Sequence, residues 1–298
     1  MMIDTVNLTR RFGRNIAVNE LNLQVPEGAI YGFLGPNGAG KTTTIRLILG
    51  LIRPHGGNIN LFGMSITEHR EDIIRKTGVV FETPPLYYHL TGYENLEINR
   101  LVLNISKDKI IRVLEYVRLK KDAYRLVKEY SMGMRQRLSV ALALMSEPEL
   151  LIMDEPMNAL DPSGIHDLRE LIKYLNKEHN VTVFLSSHIL AEVEMVATHI
   201  GIINAGKMIF QGLLNQFQMK EQVEIFLSID KPVLALSLVK DAGWMAYQYP
   251  GNKIMVDAKT SSDLNSLDSL LTQNGLSISN VEVRNQLLED FYMKIITG

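Results

Sequence analysis

Short apolar runs and longer amphipathic stretches alternate along the first two thirds of the chain. Val6 and Leu8, then Leu21, Leu23 and Val25, alternate with polar residues as half-buried strands do, and Pro26-Glu27-Gly28 follows as a turn. "AIYGFL" (29–34), "TGVVF" (77–81), "ELLIMD" (149–154) and "VTVFLSS" (181–187) are nearly unbroken aliphatic runs, the pattern of strands covered on both faces. The first of them enters glycine-rich sequence and then the helix-patterned "TTTIRLILGL". Strand, glycine loop and helix in that order open a parallel α/β unit. Between the second and third runs, about 86 to 147, the periodicity is helical. Thr91 and Glu94 are spaced as a capping box, and "SKDKIIRVLEYVRL" and "MRQRLSVALALM" follow. This stretch predicts a helical subdomain inserted in the α/β core.

The pattern restarts after Phe217. "VEIFLSID" alternates, "KPVLALSLVKDAG" is helical, and "MAYQYPGNKIMVDA" turns on Pro250-Gly251-Asn252. "SSDLNSLDSLLTQNG" has a helix's serine cap and glycine stop, and "LSISNVEVR" precedes a closing helix. The order β-α-β-β-α-β predicts a small ferredoxin-like α+β domain. The expected boundary lies near 218, giving domains 1–218 and 219–298. The Leu, Ile and Val pattern of the second domain reads as core. A contact between copies, or plain packing, is the expectation there, against a reading in which it binds a small regulatory ligand.

Composition narrows the classes. The 298 residues are 46% hydrophobic, enough for such cores. Lys and Arg number 31 against 33 Asp and Glu, a net charge of −2, and this balance disfavours a nucleic-acid surface. There is no cysteine, which excludes disulfides and thiolate chemistry, and the seven His lack metal-ligand spacing. "MMIDTVNLTRRFGRN" turns charged before a signal-peptide core could form, and no apolar run approaches the roughly 20 residues that span a bilayer. The expectation is a soluble, cytoplasmic chain that works at a membrane only through parts borrowed from another chain.

Two motifs carry chemistry. "GPNGAGKT" (35–42) matches G-x-x-x-x-G-K-[ST]. The loop of Gly35, Pro36, Asn37, Gly38, Ala39 and Gly40 would wrap phosphate oxygens with its backbone N–H groups, Pro36 having none and only shaping the turn, and the helix opening at Lys41, Thr42 and Thr43 adds its N-terminal partial charge. Lys41 would reach the β and γ phosphates of ATP, and the Thr42 hydroxyl would bind Mg²⁺. The bland alternative is a glycine-rich turn. "LLIMDEP" (150–156) is a strand ending in two acids. Asp154 suits a water-mediated Mg²⁺ ligand and Glu155 the base that polarises a water, the alternative being two helix-capping acids.

With these motifs in place, residues 1 to 217 resemble the ATPase subunit of ATP-binding-cassette (ABC) transporters. The resemblance implies a P-loop NTPase core with antiparallel β and helical subdomains. "YSMGMRQR" (130–137) stands where that family has its L-S-G-G-Q signature: Ser131 and Gly133 match, while Tyr130, Met132 and Met134 depart. A helix N-terminus there would offer Ser131 and backbone N–H groups to the γ-phosphate of a partner, so that ATP is sandwiched in a head-to-tail homodimer. Ser131 is equally a plain N-cap. "NALDP" (158–162) resembles the D-loop, with Asp161 also an N-cap ahead of Pro162. His188 resembles the switch histidine at the γ-phosphate, or is a cap. Phe12 resembles the ring that stacks on adenine, or packs in the core.

Glu82 stands at the end of "TGVVF", at the edge that would hold Lys41, Thr42, Asp154 and His188. Most family members have glutamine there, touching Mg²⁺ and the attacking water. A carboxylate keeps an oxygen ligand and adds charge; the alternative is a residue facing solvent as the chain leaves the sheet. "FETPPLYYHLTGYENL" resembles the E-loop of bacitracin-resistance and lantibiotic-immunity ATPases. That branch implies a peripheral subunit at the cytoplasmic face of the membrane, powering a separate permease that exports antimicrobial peptide or another amphipathic compound. Leu86, Tyr87 and Tyr88 would form the permease groove or pack within the helical subdomain. The rival class is a soluble ABC ATPase acting on ribosome or DNA.

Overall fold

The computed structural model describes residues 1–158, 160–215, 223–258 and 263–285. The chain divides into two compact units, Met1–Leu214 and Asn215–Gly298. The boundary expected near 218 lies in 216–222, outside the described residues; the division falls between Leu214 and Asn215.

The first unit begins with an antiparallel sheet. β1 (Ile3–Phe12) pairs with β2 (Asn15–Leu21), β3 (Gln24–Val25) and β5 (Gly56–Leu61), and β5 pairs with β6 (Met64–Ser65). The second sheet has the order β11-β10-β4-β9-β8-β7. Its members are β4 (Ile30–Leu34), β7 (Thr77–Val80), β8 (Leu150–Met153), β9 (Thr182–Ser187), β10 (His199–Asn204) and β11 (Lys207–Leu213). All neighbours are parallel except β10 and β11. Every residue of β4, β8 and β9 is buried, which explains their unbroken aliphatic sequences. Phe184 of β9 stacks on Tyr31 at 5.7 Å between ring centroids and meets Phe33 at 5.3 Å. Full burial of one such ring contributes about 1.5–3 kcal/mol.

The helices cover this sheet. α1 (Lys41–Ile48) leaves β4, α2 (Arg70–Arg75) precedes β7, and α3 (Gly92–Leu103), α4 (Asp108–Tyr116) and α5 (Met132–Leu144) lie between β7 and β8. α6 (Pro162–His179) and α7 (Leu190–Glu194) flank β9. The capping box of α3 is formed by Thr91 and Glu94. Two differences from the sequence pattern have local causes. β7 stops at Val80, one residue short of the apolar run, with the Asp154 amide donating the last rung of the ladder to the Val80 carbonyl. The helical stretch also reaches the core, because α5 packs against β7.

In the second unit, β12 (Val223–Ile229), α8 (Pro232–Asp241), β13 (Met245–Tyr249), β14 (Lys253–Ala258), α9 (Asp263–Gln273) and β15 (Ile278–Asn285) follow in turn. The sheet order is β13-β14-β12-β15, all neighbours antiparallel, the split β-α-β arrangement read from the sequence. Ile225, Leu227, Ile254, Val256, Val239 and Leu267 are among its core residues. The serine cap at 261–262 and the closing helix after 285 lie outside the described residues.

Candidate active site

The register of the parallel sheet sets what meets at its carboxyl edge. Leu34 pairs with Ser187, Leu185 with Met153, and Met153 with Val80. The next residues of each strand therefore converge: Gly35, His188, Asp154 and the segment leading to Glu82. Ligands of parallel α/β sheets bind outside this edge.

The glycine-rich loop closes into α1 at Gly40, whose φ is 110° and where a Cβ would run into the Ala17 carbonyl oxygen. A side chain is excluded there by both conformation and space. Asn37 and Gly38 are exposed at the loop's rim, Pro36 is half-buried and Ala39 is buried. Thr42 and Thr43 are half-buried in the first turn of α1. Lys41 is 6% exposed, and its ammonium donates to the Gly35 carbonyl at 2.6 Å and the Pro36 carbonyl at 3.3 Å. It also lies 3.1 Å from Glu155 Oε1.

Glu155 is the hub. Its second oxygen is 3.0 Å from His188 Nδ1, and its side chain is 8% exposed. Its backbone sits at φ 48°, the left-handed region, which stores strain of about 1–3 kcal/mol for a non-glycine residue. Ser186, fully buried on β9, holds that turn. Its hydroxyl accepts from the Glu155 amide at 2.9 Å and donates to Asp154 Oδ1 at 2.7 Å. The Thr42 hydroxyl donates to the same oxygen at 3.3 Å. Burial pushes the Asp154 carboxyl above the usual carboxylate range; the Ser186 and Thr42 bonds oppose this, and the charges of Glu155 and Glu82 add to it. Sequence reading missed Ser186, because a serine in a buried strand carries no motif of its own.

Hydroxyl and carboxylate oxygens at Thr42 and Asp154 form a hard-oxygen donor set that fits Mg²⁺, an ion that keeps waters and phosphate oxygens in its other positions. Among the described residues, no group of three or more His, Asp and Glu forms a metal cage.

The remaining residues take these places. Glu82 is exposed and accepts from the Asn158 amide nitrogen at 3.3 Å, close enough to Asp154 to raise its pKa. Asn158 is a second residue that sequence reading missed. Ser131 caps α5, accepting from the Met134 amide at 3.2 Å, and is exposed beside Met132. A Cβ on Gly133 would meet Leu160 at 3.5 Å, ordinary contact. Asp161 caps α6, accepting from the Gly164 amide at 3.0 Å. Phe12 is 49% exposed at the end of β1 with the Arg10 guanidinium 4.7 Å from its ring centre, so core packing does not account for it. The aromatic stretch splits. Leu86 is buried and Tyr88 carries the Arg135 guanidinium at 5.0 Å, whereas Tyr87 lines a groove of about 530 Å³ with Val79, Asn95, Ile98 and Val102. Asn95 fixes Tyr87 by accepting from its amide and donating to its carbonyl.

The ABC transporter family pattern matches residues 18–158, from β2 to the acidic pair. The bacitracin transport ATP-binding protein BcrA of Bacillus licheniformis is 39% identical over 299 residues, covering 100% of this chain and 98% of the relative. The chain is an ABC transporter ATPase. The lantibiotic transport ATP-binding protein SrtF of Streptococcus pyogenes is 41% identical over 210 residues, 70% of this ABC ATPase and 90% of SrtF. Among solved structures, the dimeric post-hydrolysis state of the ATP-binding cassette MJ0796 bound to ADP and Pi superposes with a TM-score of 0.66 at 26% identity, covering 72% of this chain and 99% of that one. This ABC ATPase thus binds and hydrolyses ATP as its family does.

Proposed function

We propose that this ATPase powers a separate membrane permease that exports bacitracin or a similar membrane-active peptide. The supporting observation is the full-length match to BcrA, a relative named for bacitracin transport, which extends through the second unit. In this reading the permease is a different chain, met from the cytoplasmic face; among the described residues, no helix is long and apolar enough to cross a membrane. The groove holding Tyr87, which runs along the edge strand β7, supplies a seat with apolar side chains for such a contact.

In this reading, two chains pair head to tail around ATP. The loop 35–42 cradles the phosphates, Lys41 neutralises their charge, and Phe12 stacks on adenine. Ser131 and the first amides of α5, with Gly133, face the partner's γ-phosphate, and Asp161 lies beside that contact. Mg²⁺, held by Thr42 and Asp154 with Glu82 nearby, would neutralise developing phosphate charge. Glu155 orients the attacking water and takes its proton. His188 holds Glu155 by a hydrogen bond and faces the γ-phosphate.

The test is a pull-down of tagged chain from detergent-solubilised native membranes, paired with bacitracin challenge of cells carrying wild type or Glu155→Gln. Recovery of a polytopic membrane protein, with protection lost in the variant, is the expected result. Ribosomal proteins or DNA without a membrane partner would move the chain to the soluble class.

A further inference from the structure

Strand β13 closes one end of the second unit's sheet, and its outer edge has no strand neighbour among the described residues. Exposed strand edges invite pairing and are normally blunted by lysine, proline, a bulge or very short length. Met245–Tyr249 has none of the first three, and it pairs with β14 over five consecutive residues without a shift. Ala246 faces the core, so Met245, Tyr247 and Tyr249 share the opposite face, where they are 64%, 49% and 42% exposed. Phe226 of β12 lies on that face too, edge-on to Tyr249 at 5.0 Å.

The edge is complementary to itself. In an antiparallel pair about a two-fold axis at Tyr247, Tyr247 faces its own copy and Met245 faces Tyr249 of the other chain. Behind them on β14, Asp257 stands beside Met245, Met255 beside Tyr247 and Lys253 beside Tyr249. The central row across the joined sheets then runs Met255, Tyr247, Tyr247, Met255. Each outer row runs Asp257, Met245, Tyr249, Lys253, with opposite charges at its two ends. Like charges never share a row, and aromatic and sulfur contacts fill the middle. A one-residue slip would set Tyr247 opposite Gln248, which belongs to the other face, so such a slip is excluded.

We propose that β13 is a self-association edge, onto which a second copy of this chain adds its own β13 in antiparallel register. The contact is isologous and gives one eight-stranded sheet shared by two second units. Five residues a side cover less area than a stand-alone dimer needs. The pairing is therefore weak and reversible, and a crosslink traps it. The proposal does not depend on what the permease moves.

The lack of cysteine makes a single introduced thiol a position-specific reporter. Opposed Cα atoms of an antiparallel pair lie about 4.5–5.5 Å apart, within disulfide reach of about 4.4–6.8 Å. Residue 255 and its copy would be three strand spacings apart, roughly 14 Å, beyond that reach. Full-length Tyr247→Cys, oxidised without nucleotide, is expected to give a covalent dimer, and Met255→Cys is not. In sedimentation without nucleotide, Tyr247→Lys should weaken self-association by about tenfold, as replacing the central tyrosine pair by two facing ammonium groups implies, with an unchanged melting curve. Equal crosslinking at both positions overturns the proposal. So does crosslinking of Tyr247→Cys to a membrane protein instead of itself, or its failure while Glu155→Gln chains still pair in ATP. If crosslinking at 247 holds and ATP-dependent pairing fails, the cassette reading is wrong and the edge stands.

Discussion

Both units lay helices on a sheet, yet they differ in what stands at the strand ends. In the first, the carboxyl ends of β4, β8 and β9 lead into a phosphate loop, Asp154-Glu155 and His188, tied together by Lys41 and Ser186. In the second, β13 ends in the turn at Pro250-Gly251-Asn252 that leads into β14, and the described interior is aliphatic. Phosphate and metal chemistry restrict a position to one or two residue types, so a short stretch is diagnostic. Packing accepts many aliphatics, so the second unit declares its shape and withholds its task.

That contrast can be broken by substitution. The largest effect is expected for Glu155→Gln, with ATP turnover down by about 10²–10⁴ while nucleotide still binds. Phosphate release and nucleotide fluorescence measure the two separately, and retained turnover would move the base elsewhere, to Glu82 first. Ser186→Ala leaves the Glu155 amide without its partner and Asp154 with one hydroxyl instead of two, a support role whose loss costs about 10–100-fold in activity. A Mg²⁺ titration of that variant should show the metal requirement rising as well. Glu82→Gln removes one charge from an exposed position near Asp154 and should shift the Mg²⁺ half-activation by about two- to fivefold, as a surface electrostatic change does. Identical titrations would make Glu82 a bystander. Leu227→Ala opens the second unit's core at a local cost of about 2–5 kcal/mol. Calorimetry should show that unit melting earlier with basal ATPase unchanged, and a fall in basal ATPase would erase the distinction between the units.

Legibility followed the same division. The buried strands β4, β8 and β9, the capping box at Thr91 and the hairpin at Pro250 are all local signals that tertiary structure reinforces. Strand β5 was not legible, because Gly56, Gly57, Asn58 and Asn60 hide its alternation and Gly57 takes φ 84°. Strands β10 and β11 escaped too, although Ile200, Ile202 and Ile203 are fully buried, because Gly201 breaks the aliphatic run and the β11 side is half-exposed. At the site, residue types announced Lys41, Thr42 and Asp154. The bridging of Asp154 to Glu155 through Ser186, and of Glu82 to Asn158, joins residues tens of positions apart, which only the register of the sheet brings together.

The ammonium of Lys41 has three hydrogens, and two of its contacts are carbonyls of its own loop while the third is Glu155. An arriving phosphate must therefore compete with a carboxylate for that ammonium, and the competitor is the group assigned to activate water. A phosphate taking the lysine would exchange one anion for another and leave the carboxylate to His188 alone.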